Sequence, residues 1–164
     1  MIDLAAVTPL VGSLADALRA KGWRLATAES CTGGLIAAAC TSLAGSSDWF
    51  ERGFVTYSNA AKSQQLDVDA ALIAAHGAVS RTVVDAMVAG ALTHSHADVA
   101  VAVTGIAGPG GAVPGKPVGT VWLALMRRGG VSQAEHLQLA GDRASVRAQI
   151  VVVALQRLCA LCEG

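Results

Sequence analysis

Ser30 is the residue of this chain whose type and neighbours best suit a nucleophile. It lies in Thr27-Ala-Glu-Ser-Cys-Thr-Gly-Gly34, between an apolar stretch and an alanine-rich one. A serine at such a strand-to-helix junction sits beside free backbone N–H groups and the positive end of a helix, a setting that stabilises an oxyanion or holds a phosphate. The plainer reading is that Ser30 or Thr32 caps the helix and that the glycines allow close packing; spacing alone favours it. A second cluster is Tyr57-Ser-Asn-Ala-Ala-Lys62. A tyrosine ending an apolar strand and a lysine one turn into the next helix could bring a phenol and an amine near one point. Lysine in that position is ordinarily a solvated helix face.

A third cluster is Thr104-Gly-Ile-Ala-Gly-Pro-Gly-Gly111, followed by Lys116-Pro-Val-Gly-Thr120. Its glycines let a loop come close to a ligand, but it is neither a GxxxxGK[ST] loop nor a GxGxxG turn. Asp142-Arg143 and Arg147 open the last helix. The two arginines are four apart and share a face. They could fork onto a phosphate or carboxylate, or simply pair with surface acids, and pattern alone leans to the surface.

These clusters need elements to position them. Leu4, Val7, Leu10, Val11, Leu14 and Leu18 form a helical stripe over Leu4–Lys21, stopped by Gly22. Trp23–Ala28 reads as a strand, and a helix opens at Thr32 or Gly33 and runs to about Leu43, where Gly45-Ser46-Ser47 breaks it. A strand over Phe50–Tyr57, a short helix through Gln65, and helices over Ala70–His76 and Arg81–His94 follow. The continuous apolar run Val99–Val103 is that of a strand covered on both faces. Val118–Met126 and Val131–Leu139 form a hairpin about Arg128-Gly129-Gly130, and Asp142 caps a helix to about Leu161. This order predicts one α/β domain over residues 1–164, a three-layer α/β/α fold with a mainly parallel mixed sheet and an antiparallel edge hairpin. Ligands of such folds gather at the carboxyl ends of the strands, where the first three clusters fall.

Composition narrows the classes. The chain has 164 residues, 53% hydrophobic and 15% charged, with a mean hydropathy of +0.51, which excludes a disordered chain. Net charge is zero and no basic run exists to neutralise phosphates, so a nucleic-acid partner is not expected. The apolar runs are short and interrupted, and none approaches the roughly 18–20 residues of a membrane span. The N-terminal stretch has no basic n-region and carries Asp3 and Asp16, unlike a signal peptide. The expectation is a soluble, cytoplasmic protein with no membrane partner. Cys31, Cys40, Cys159 and Cys162 then read as reduced thiols, and the lone Cys159–Cys162 pair lacks the second pair of a zinc site. His94 and His96 read as surface histidines.

Thr27-Ala-Glu-Ser-Cys-Thr-Gly-Gly34, Gly53-Phe-Val-Thr-Tyr-Ser-Asn59 with Lys62, His76-Gly-Ala-Val-Ser80, Thr104-Gly-Ile-Ala-Gly-Pro109, Lys116-Pro-Val-Gly-Thr120 and Gly141-Asp-Arg143 together resemble, in order and over nearly the whole chain, the CinA C-terminal family. Members of that family acting alone are nicotinamide-nucleotide amidohydrolases. The resemblance implies hydrolysis of the carboxamide of nicotinamide mononucleotide to nicotinate mononucleotide and ammonia, with no metal and no cofactor. Carried onto this chain, it implies Ser30 as nucleophile and Lys62, directly or through Tyr57, as the base. It further implies a pocket lined by Thr32, Gly33 and Gly34, by Ser46 and Ser47, and by Thr104 and Gly105, with Arg143 first and Arg147 second as phosphate ligands.

Many relatives carry this module behind an N-terminal domain with nucleotide pyrophosphatase activity. The chain begins at the first helix of the amidase module, so that activity is not carried over. The other reading of the same motifs is a non-catalytic nucleotide-binding or competence-associated interaction module. The hydrophobic balance and the hairpin edge suggest a homo-oligomer, a dimer first.

Overall fold

Val7, Val11, Leu14, Ala15 and Leu18 recur at helical spacing and are buried along one side of α1 (Leu4–Lys21). The Asp3 side chain accepts the Ala5 N–H at the start, and Gly22 ends the helix in the left-handed region at φ 64°. The computed structural model describes residues 2–164. After α1 come β1 (Leu25–Glu29), α2 (Leu35–Thr41), a 3-10 turn at Ser46–Asp48, and β2 (Phe50–Val55). Then follow α3 (Asn59–Leu66), α4 (Ala70–His76), α5 (Arg81–Thr93), β3 (Val99–Gly105), β4 (Thr120–Arg127), β5 (Gln133–Gln138) and α6 (Arg143–Glu163).

The five strands form one sheet in the order β2-β1-β3-β4-β5. β2 and β3 both run parallel to β1, and the hairpin β4–β5 closes the far side with antiparallel ladders. Four strands therefore point the same way and β4 alone is reversed, the mainly parallel sheet with an edge hairpin that the sequence predicts. β3 explains the layering. Its valines 99, 101 and 103 pack into the core shared with α1, α2 and α6. Its alanines 100 and 102, with Ala26 and Ala28 of β1, pack on the opposite face beneath α5. Gly90 lets the two helices on that side approach closely: a Cβ on Gly90 of α5 would stand 2.0 Å from the Leu66 carbonyl oxygen at the end of α3.

α2 starts at Leu35 rather than at Thr32 or Gly33, because Gly33 and Gly34 adopt positive φ values of 58° and 98° and cannot continue into a right-handed helix. The last helix has the expected Asp142 cap and ends at Glu163, close to the expected end near Leu161. At 21 residues α6 is long and apolar enough, by length and composition alone, to cross a bilayer. In this fold Val146, Ile150, Val151, Ala154, Leu155 and Leu158 of α6 are buried, in the core shared with the sheet. The parallel ladders bring the carboxyl ends of β1, β2 and β3 to one edge, carrying Ser30, Thr56 and Thr104 with them.

Candidate active site

The β1–β2 ladder pairs Glu29 with Val55, so the residues just beyond each strand, Ser30 and Thr56, emerge side by side. Ser58 then caps α3 through its side chain, which accepts the Ala61 N–H, and Lys62 falls one turn in. Its stem folds back into the protein and leaves Lys62 only 1% exposed, while Ser30 keeps 9% of its surface. Lys62 Nζ lies 3.1 Å from Ser30 Oγ and donates to the Thr56 carbonyl at 3.0 Å. The solvated-face reading of this lysine is thereby overturned. Burial pushes its pKa below the ordinary 10.5, opposed in part by neighbouring Cys31, because an ammonium loses hydration there. A neutral amine in this position can accept the Ser30 proton while still donating to Thr56.

Cys31, adjacent to Ser30, is a poor competitor as nucleophile. Burial pushes its thiol up to about 11, so it carries almost no thiolate at neutral pH. Gly105 explains how it fits: a Cβ there would stand 2.8 Å from Val121 Cγ2 and 3.2 Å from Cys31 Sγ. Thr104, before it, is buried and donates its hydroxyl to the Ala78 carbonyl at 2.9 Å, tying β3 to the turn before α5. Lys116 reaches the same region and donates to the His76 carbonyl at 2.7 Å.

Tyr57 stands elsewhere than a relay would require. It is 59% exposed, and its hydroxyl accepts from Arg143 at 2.8 Å. Lys62 reaches Ser30 without it. Arg143 uses a second nitrogen to bond the Gly108 carbonyl at 3.0 Å, which leaves its guanidinium fixed at the rim of a cleft of about 630 Å³ lined by Ala107, Pro109, Val118, Asp142, Arg143 and Arg147. Arg147 is turned inward: its Nε bonds the Cys31 carbonyl at 3.1 Å and an Nη the Thr32 carbonyl at 3.2 Å. It clamps the turn after Ser30 to α6.

The turn itself departs from expectation. The Ile36 and Ala37 N–H groups at the start of α2 are not free for a ligand, since both donate to the buried Glu29 carboxylate. Glu29 is the site residue that the sequence reading missed. Ser46 and Ser47 are not brought to the site within this chain. They precede β2, at the end of the sheet opposite Ser30, where Arg19 from the end of α1 bonds the Gly45 carbonyl. Cys159 and Cys162 are buried along α6. Among the described residues no group of three or more His, Cys, Asp or Glu is arranged to hold a metal ion.

A serine paired with a buried lysine at the carboxyl edge of an α/β sheet defines a candidate hydrolase of the serine–lysine kind. The sequence model of the CinA C-terminal domain matches residues 7–162, and the chain belongs to that family. It is 54% identical over 140 residues to the nicotinamide-nucleotide amidohydrolase PncC of Enterobacter agglomerans, covering 85% of each chain. With the protein of the same name from Pseudomonas putida it shares 53% over 152 residues, covering 93% of this chain and 94% of that one. Among solved structures, the competence/damage inducible protein CihA of Agrobacterium tumefaciens superposes with a TM-score of 0.92 at 45% identity, covering 94% of each chain.

Proposed function

We propose that this chain hydrolyses the carboxamide of nicotinamide mononucleotide, giving nicotinate mononucleotide and ammonia through a covalent Ser30 intermediate. The observation that carries the reading is the 3.1 Å approach of Lys62 Nζ to Ser30 Oγ in a buried setting. Relatives more than half identical that are named nicotinamide-nucleotide amidohydrolase supply the substrate class.

Each proton has a place. Lys62, neutral, takes the Ser30 hydroxyl proton as Oγ attacks the amide carbon. The tetrahedral adduct carries its charge on the former carbonyl oxygen. The N–H groups of Cys31, Thr32 and Gly34, which donate to no backbone acceptor outside helices and strands among the described residues, are the nearest donors in sequence that could meet it. Lys62 ammonium then returns its proton to the departing nitrogen, the C–N bond breaks, and ammonia leaves an ester on Ser30. Water attacks that ester with Lys62 again as base, releasing the carboxylate and restoring the serine. Nothing in this sequence asks for a metal.

Arg143 meets the phosphate in this reading, with Tyr57 holding its guanidinium at the rim. Arg147 is assigned to the turn instead, since two of its nitrogens are already engaged there. Arg143→Ala should raise KM for the mononucleotide by about 10–100-fold, the worth of one charge-assisted pair. It should change KM for nicotinamide riboside, which lacks the phosphate, by less than about threefold. Steady-state ammonia release on the two substrates decides this, and equal losses on both remove Arg143 from the phosphate.

A further inference from the structure

Glu29 is fully buried, and the only acidic side chain so placed among the described residues. Its oxygens act as acceptors throughout. Oε1 takes the Thr32 hydroxyl at 2.7 Å and the Ile36 N–H at 2.9 Å. Oε2 takes the Ala37 N–H at 3.0 Å and, more loosely, the Thr27 hydroxyl at 3.3 Å. A buried carboxylate is costly unless its lone pairs are satisfied in this way. The side chain thus ties the end of β1 to the first turn of α2 and pins Thr32 between them, closing the turn that carries Ser30.

The backbone of the same residue reaches the base. The Glu29 carbonyl accepts the Thr56 N–H at 2.8 Å, and the Thr56 carbonyl accepts from Lys62 Nζ at 3.0 Å. Ser30 N–H is held in turn by the Val103 carbonyl at 3.1 Å. One residue therefore stands behind both members of the Ser30–Lys62 pair, without lying between them.

We propose that Glu29 is a positioning residue for the reaction: its carboxylate fixes the 30–34 turn so that Ser30 Oγ stays within reach of Lys62 Nζ. The inference rests on the serine–lysine reading above. Glutamine at this position keeps the shape but turns an NH2 group toward backbone N–H or hydroxyl donors, so at least one of the four bonds becomes donor against donor.

The test uses two readouts. The first is the rate at which a fluorophosphonate labels Ser30 with no substrate present. The second is the split between kcat and KM for nicotinamide mononucleotide. Glu29→Gln should slow both labelling and kcat by about 10²-fold while KM changes by less than about threefold, the pattern of a nucleophile displaced by a fraction of an ångström. Rates are taken per folded molecule, measured by circular dichroism at the assay temperature. If Glu29→Gln does not fold, Thr32→Val carries the test. It removes only the hydroxyl donor to Oε1 and should slow labelling by about tenfold. Labelling within about twofold of wild type in the folded variant overturns the proposal. Wild-type protein that labels at Ser30 but releases no ammonia from the mononucleotide overturns the substrate instead, and leaves the role of Glu29 standing.

Discussion

Ser30→Ala is expected to lower kcat for ammonia release from nicotinamide mononucleotide by at least about 10⁴-fold, because the step that it removes is bond formation itself. The side chain is small and 9% exposed, and alanine fills its place without strain, so the fold and the cleft beside Arg143 should persist. Mononucleotide binding, followed by calorimetry, should then stay within about threefold of wild type. That contrast separates a nucleophile from a ligand-binding hydroxyl. A protein that binds the mononucleotide but never turned it over would lose nothing on this substitution, and would be a binding module. A variant that retains turnover would move the attacking group away from Ser30.

Lys62→Arg is expected to cost about 10²–10⁴ in kcat, the usual worth of a positioned general base. Arginine preserves the charge an exposed lysine would have but cannot become neutral at any working pH, so it can donate to Thr56 and cannot accept from Ser30. The same requirement sets the pH dependence. Burial lowers the Lys62 value from 10.5, and the base form is the deprotonated one. The rate constant kcat/KM in wild type should therefore rise with pH through that lowered value and level off above it. The ascending limb must lie below the ordinary lysine range. A limb at about 10.4, where an exposed lysine titrates, or Lys62→Arg with near-normal turnover, would remove Lys62 from the proton transfer.

Much of this was legible in the residues. Helix α1 is bounded where its stripe and Gly22 indicate, and β3 is the doubly covered strand that an unbroken valine–alanine run implies. Asp142 caps α6, as its position before the last apolar stretch indicates. The chemistry-bearing types were legible too, but not their contacts. Ser30 and Lys62 are 32 positions apart, and only the β1–β2 register makes them neighbours. Whether Lys62 turns inward or out to solvent is decided by the shape of its surroundings, which local periodicity does not encode.

Tyr57 and Arg143 are 86 apart and meet across two layers of the fold, so the phenol's partner was invisible. Glu29 was passed over because a lone acid at a strand end reads as the strand leaving the core. The four donors that make its burial tolerable come from both sides of the turn and from α2. Ser46 and Ser47 entered through resemblance alone, and the topology of this chain carries them to the other end of the sheet.

In the proposed reaction Ser30 and neutral Lys62 hydrolyse the amide unaided by metal. The most direct test measures ammonia and nicotinate mononucleotide formed from nicotinamide mononucleotide by purified protein in excess chelator, wild type beside Ser30→Ala. Stoichiometric release of both products by wild type, undiminished by the chelator and absent from the variant, is the result expected. Turnover that the chelator abolishes, or that survives in Ser30→Ala, would contradict it.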